Sequence, residues 1–150
     1  MMREGWREEP AARGGCQCGA VRYEVPAGPK LASVCHCRMC QRATGNAFAP
    51  LLEVPSAGIV WQGEPAVWAS SSVAERGFCA ICGTPLFFRD KDGDTTEFMA
   101  GALSGFDFRP VLNSGVEGRV AWLASLPHQR DRETRPELLA RVVSHQAPED

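Results

Sequence analysis

The stretch Gly15-Cys16-Gln17-Cys18-Gly19-Ala20-Val21-Arg22-Tyr23-Glu24-Val25 carries two signals side by side. Its first half sets two thiols one residue apart and follows them with glycine. Gly permits positive φ, so the turn can close and aim backbone N–H groups at the sulfurs. Its second half, Val21 to Val25, alternates apolar and polar, the pattern of a half-buried strand. A metal knuckle running into a β-strand is the expectation.

The same alternation or a short apolar run recurs at Leu31–Val34, Phe48–Val54, Ile59–Gln62, Ala66–Ser70, Pro85–Arg89, Thr95–Ala100 and Gly118–Trp122. Pro26 and Gly28-Pro29 are expected to end the first strand, and Asp90-Lys91-Asp92-Gly93-Asp94 reads as a hairpin turn. Strands spaced by about ten residues favour a mainly β fold over βαβ units. A helix is expected only near the C terminus. There Thr134-Arg135-Pro136-Glu137 matches a capping box, and Leu138, Leu139, Val142 and Val143 share a face that would pack on the sheet. The expected division is a flexible tail over 1–12, a zinc-binding domain over 13–127, and a helix with a loose end over 128–150. Trp61, Trp68 and Trp122 are expected in the core, and His128 and His145 receive no role.

The chain has 150 residues and a mass of 16.3 kDa, a size that buries roughly 70% of the unfolded surface around one core. With 44% hydrophobic and 23% charged residues it is neither disordered nor fibrous. No apolar run approaches the roughly 18 residues of a membrane span, and the opening Met1–Glu9 lacks a secretory apolar segment. A cytoplasmic protein without membrane association is expected. A net charge of −2 argues against a nucleic-acid partner. Of the 16 basic residues only Lys30 and Lys91 are lysines. Arginine forks grip carboxylates and phosphates, so a small anionic ligand suits this composition. No feature identifies a protein partner.

Seven cysteines stand out, and in a reducing compartment they point to metal rather than disulfides. They form three groups: Cys16-Gln17-Cys18, Cys35-His36-Cys37-Arg38-Met39-Cys40 and Cys79-Ala80-Ile81-Cys82. Glycine follows the first and last pairs, as Gly19 and Gly83. Cys16, Cys18, Cys79 and Cys82 together supply the four thiolates of a closed structural zinc site. Cys35, Cys37 and Cys40 would then hold a second zinc with the fourth position open, the catalytic arrangement. Other readings stay open: the trio as metal-free redox thiols, His36 as a fourth ligand, or Cys37 and Cys40 paired with Cys79 and Cys82. Against His36 stands the geometry of extended chain, where neighbouring side chains point opposite ways. Iron–sulfur clusters also use thiolates, but these spacings match neither common ferredoxin run.

At these residues the chain resembles the glutathione-dependent formaldehyde-activating family, also called CENP-V/GFA. The matching stretches are Gly15–Tyr23, Cys35-His36-Cys37-Arg38-Met39-Cys40-Gln41-Arg42 and Arg76-Gly77-Phe78-Cys79-Ala80-Ile81-Cys82-Gly83-Thr84-Pro85-Leu86, with weaker ones at Gly101-Ala102-Leu103 and Ala121-Trp122-Leu123. The resemblance implies antiparallel β-sheets around zinc (a β-tent). It also implies two zinc ions per chain, structural on Cys16, Cys18, Cys79 and Cys82 and catalytic on Cys35, Cys37 and Cys40. The implied activity is that of a carbon–sulfur lyase joining formaldehyde to glutathione as co-substrate. Ser104-Gly105-Phe106-Asp107-Phe108-Arg109-Pro110 departs from the family's acidic and proline-containing stretch. Arg38, Arg42 and Arg76, beside the cysteines, are the candidates for the carboxylates of glutathione. The other function class left open is a zinc-stabilised, non-enzymatic protein-binding module.

Overall fold

The first strand after the knuckle forms where its alternation places it, as β3 (Arg22–Val25), burying Tyr23 and Val25 and exposing Glu24. The computed structural model describes residues 3–149. β3 is the middle strand of a small antiparallel sheet, between β2 (Ala12–Gly15) and β6 (Val60–Gln62). The other strands form one large sheet. In spatial order it runs β1 (Arg7–Glu9), β4 (Gly28–Cys35), β5 (Ala49–Pro55), β10 (Thr95–Met99), β9 (Pro85–Asp90), β8 (Ala74–Phe78) and β7 (Ala66–Ala69). β11 (Leu112–Ser114) adds to β4 in parallel, whereas every other pairing among the described strands is antiparallel.

The core lies between the two sheets. Tyr23 stacks on Phe98 with ring centroids 4.0 Å apart, and Trp61 meets Phe87 and Phe98 at 5.6 and 5.7 Å. Leu52, Val54 and Leu86 complete it, all essentially inaccessible. Burying each such side chain is worth about 1.5–3 kcal/mol. A Cβ on Gly77 would run into the Phe87 ring, so this crossing of β8 and β9 needs a residue without one.

Several expectations are corrected. Within residues 1–12, expected as a loose tail, Arg7–Glu9 pairs with Gly28–Lys30. That strand is held by the sheet edge, which alternation alone does not reveal. Gly28-Pro29 starts β4 instead of merely ending β3, because Gly28 turns the chain at φ 146°. The C-terminal helix is not the only one: α1 (Arg38–Thr44) follows directly on β4. Gly118–Trp122 forms no strand; it lies in 3-10 turns at Val116–Gly118 and Ala121–His128.

The C-terminal helix shrinks to one turn, α2 (Pro136–Leu139), with Arg135 as N-cap and no side-chain cap bond. Its apolar residues do not pack on the sheet: Leu139 and Val142 are each 59% exposed and Val143 83%. Trp68 and Trp122 are exposed at 63% and 54%, so of the three tryptophans expected inside only Trp61 packs on the core. Trp68 lies on edge strand β7, where no neighbouring strand covers it. No helix among the described residues is long and apolar enough to cross a membrane.

Candidate functional site

The first cysteine group joins the ends of both sheets. Cys16 follows β2 of the small sheet and Cys79 follows β8 of the large one. Gly19 at φ 81° and Gly83 at φ 77° close the two turns. Their N–H groups donate to the carbonyls of Cys16 at 3.1 Å and Cys79 at 2.9 Å. Thr84 ties the turns together: its Oγ1 accepts from the Gln17 N–H at 3.0 Å and lies 3.2 Å from Cys82 Sγ. The four sulfurs lie within 4.8 Å of one another, with Cys16–Cys18 at 3.6 Å and Cys18–Cys79 at 3.7 Å. A tetrahedron with zinc–sulfur bonds of about 2.3 Å has edges of about 3.8 Å, so the donor set fits zinc. The spacing is far too long for a disulfide, and all seven cysteines are free. Burial opposes ionisation of Cys82, but the Thr84 hydroxyl and backbone N–H outweigh it and bring the thiol down to about 5.

The second group stands at a strand-to-helix junction. Cys35 ends β4, Cys37 is the N-cap of α1 and accepts from the Cys40 N–H at 3.4 Å, and Cys40 sits within the helix. Gly45, in the left-handed region at φ 63°, closes the helix. The three sulfurs converge within 4.8 Å, and among the described residues no fourth His, Cys or carboxylate joins them. His36 is buried with Nε2 2.8 Å from Asn113 Oδ1, outside the converging donors. Burial pushes Cys35 up to about 12; it also raises Cys40, against the downward pull of Arg76.

A cradle after β11 holds this junction. The His36 N–H donates to the Ser114 carbonyl at 2.9 Å, and Gln41 Nε2 donates to the carbonyls of His36 and Gly118, both at 2.8 Å. A Cβ on Gly118 would stand 2.7 Å from the His36 oxygen, and one on Gly115 would stand 2.8 Å from the Cys37 nitrogen. In the sequence Gly115 and Gly118 carry no signal beyond their Gly-x-x-Gly spacing, Asn113 carries none, and Gln41 shows only as the residue after Cys40.

Cross-strand partners form one row over the large sheet: Trp68, Arg76, Phe88, Glu97, Glu53. The row occupies the face opposite Phe98 and Phe87. Arg76 is only 8% exposed; its Nη2 donates to Cys40 Sγ at 3.5 Å and its guanidinium lies 5.0 Å from the Phe88 ring centroid. Its Nη1 is buried with no hydrogen-bond partner. Arg38 and Arg42 are exposed, with Arg38 Nη1 3.3 Å from Gln41 Oε1. Glu97 had no sequence signal. Burial pushes its carboxyl up to about 7, reinforced by Glu53 and Asp90 and opposed by Arg76.

The C-terminal segment returns to the first group, where the Ala147 N–H donates to the Gln17 carbonyl at 2.8 Å. Ala147 lines a cavity of about 490 Å3 with Cys16, Cys82, Thr84 and Arg22.

A family described as glutathione-dependent formaldehyde-activating enzyme matches residues 11–114. An uncharacterized lyase of Schizosaccharomyces pombe is 33% identical over 112 residues, covering 74% of this chain and 78% of that protein. A crystal structure of a Rhodobacter sphaeroides protein superposes with a TM-score of 0.54 at 22% identity, over 68% of this chain and 99% of that one. That likeness concerns the fold.

Proposed function

This chain belongs to the glutathione-dependent formaldehyde-activating family, and on that premise we propose that it is a zinc-dependent carbon–sulfur lyase acting on the aldehyde adduct of glutathione or another small thiol. The observation that carries the reading is the trio Cys35, Cys37 and Cys40, converging without a fourth protein donor among the described residues. A closed four-thiol site is complete in itself, whereas a three-thiol site leaves a position for a substrate. The first cysteine group is the structural site in this reading. When bound at the trio, zinc supplies a Lewis acid that accepts a substrate thiol as thiolate.

The chain's own residues account for the rest. Arg76 offsets the negative charge gathered at Cys40 through its contact with that sulfur. His36, locked on Asn113, leaves the open side to the substrate, and the Gln41 bridge fixes the junction's geometry. A fixed site of this kind holds thiol and aldehyde close together, and proximity removes much of the barrier to forming the carbon–sulfur bond. Because Arg76 is buried against Cys40, the exposed Arg38 and Arg42 are the better placed of the three to meet a carboxylate of glutathione.

Calorimetric titration of glutathione and of S-methylglutathione into zinc-loaded protein tests the reading. Binding of the free thiol alone is expected. Equal binding of both, or of neither, overturns the assignment of an open thiol site.

A further inference from the structure

We propose that Arg76 is a positioning residue that sets the three-cysteine site to take an anion, and so a thiolate over a neutral donor, as its fourth ligand. The proposal rests on the open-thiol reading and deepens it. Arg76 stands on β8, paired with Trp68 on one side and Phe88 on the other. Its Nη2 donates to Cys40 Sγ at 3.5 Å, its guanidinium lies 5.0 Å from the Phe88 ring centroid, and the residue is 8% exposed. A guanidinium keeps its charge throughout the physiological pH range. No carboxylate among the described residues lies within ion-pair distance of it, and Nη1 is buried without a hydrogen-bond partner. A buried charge needs a counter-charge, and the group in contact that can carry one is the Cys40 sulfur.

The four-cysteine site is served differently. Among the described residues no cationic side chain donates to its sulfurs; the Val21 N–H reaches Cys16 Sγ at 3.2 Å, and the Thr84 hydroxyl lies 3.2 Å from Cys82 Sγ. There the fourth thiolate belongs to the chain, and tethering raises its effective concentration enough to hold it without a cation. At the trio the fourth ligand comes from solution and competes with water. Three thiolates give a zinc site a net charge of about −1, and an incoming thiolate takes it to about −2. That added charge is repelled by the thiolates already present unless a cation lies beside them. Arg76, against Cys40, is that cation. A neutral fourth ligand adds no charge and gains far less from it.

The test replaces zinc with cobalt, whose visible absorption changes with its fourth ligand, and titrates three probes at one fixed pH. They are 2-mercaptoethanol (a thiol without carboxylates), azide (a small anion) and imidazole (a neutral donor). Wild type is compared with Arg76→Met, which keeps an apolar stem without the charge, and with Arg76→Lys, which keeps the charge. Arg76→Met is expected to bind 2-mercaptoethanol and azide about ten- to a hundredfold more weakly, the worth of a hydrogen bond to a charged group, and imidazole as tightly as wild type does. Arg76→Lys is expected to recover most of the loss.

Equal weakening of anions and imidazole makes Arg76 a structural prop and overturns the proposal, as does an Arg76→Lys variant that behaves like Arg76→Met. Should Arg76→Met not fold, Arg76→Gln is read in its place, and loss of the fold or of the second cobalt from all three variants overturns the proposal in the same way. Failure of 2-mercaptoethanol to bind wild type overturns the thiol reading by itself. Azide against imidazole then still decides the role of Arg76.

Discussion

Gly118 shows how much a missing side chain can fix. Its Cα lies so close to the His36 carbonyl that Ala would force backbone apart rather than a flexible side chain. Gly118→Ala should lower stability by about 1–3 kcal/mol, the usual range for overpacking. It should also weaken metal at the trio while sparing the four-cysteine site. Cobalt loading followed by visible absorption separates the two sites. Glu97 makes an opposite prediction. Its folded carboxyl titrates near 7, above its unfolded value, so the folded state binds more protons between about pH 4.5 and 7. Stability from this group is fully present below that window and falls as pH rises through it. Glu97→Gln should therefore gain on the order of 2 kcal/mol relative to wild type at pH 8, and little at pH 4.5, in melts at both pH values. At this scale the cysteines were legible because short spacings force thiols together whatever the fold. Arg76 on Cys40 and Asn113 on His36 were not, since each depends on pairing between segments distant in sequence.

The elements divide along a similar line. Most of the large sheet followed from alternation, whereas α1 did not. Seven residues are too few to show a helical period, and its start is fixed by a cysteine cap rather than by Ser, Thr or Asp. The apolar face of α2 misled for the converse reason: its period is helical, but no partner surface covers it. The holding of α1 has a measurable value. Gln41→Ala strips two carbonyls of their donor and should cost about 1–3 kcal/mol in urea denaturation, with the midpoint falling and the slope unchanged.

For the whole molecule, the four-cysteine site is a bolt between the two sheets. Structural zinc contributes about 10–16 kcal/mol where it has been measured in small domains. That compares with a total stability of about 5–15 kcal/mol for a domain. Cys82→Ser should accordingly unfold the chain by circular dichroism, as should a strong chelator. Cys37→Ser should keep the fold and lose glutathione binding. A folded Cys82→Ser would break the assignment of the structural site. Removing residues 144–150 should leave the fold intact but uncover the first knuckle. Its cysteines should then be alkylated faster, as mass spectrometry of timed samples would show.

The cradle of the trio closes with Gly118, far downstream of Cys40, through the one parallel pairing with β4. As the ribosome releases the chain from its N terminus, Cys35, Cys37 and Cys40 emerge before β10, Arg76 and the 112–118 segment exist. At about 5–20 residues per second, the 78 residues from Cys40 to Gly118 take roughly 4–16 s to add. Throughout that interval three bare thiols stand without floor or cover. The order of synthesis thus makes this motif most open to metal delivery, and to oxidation, before the protein is finished.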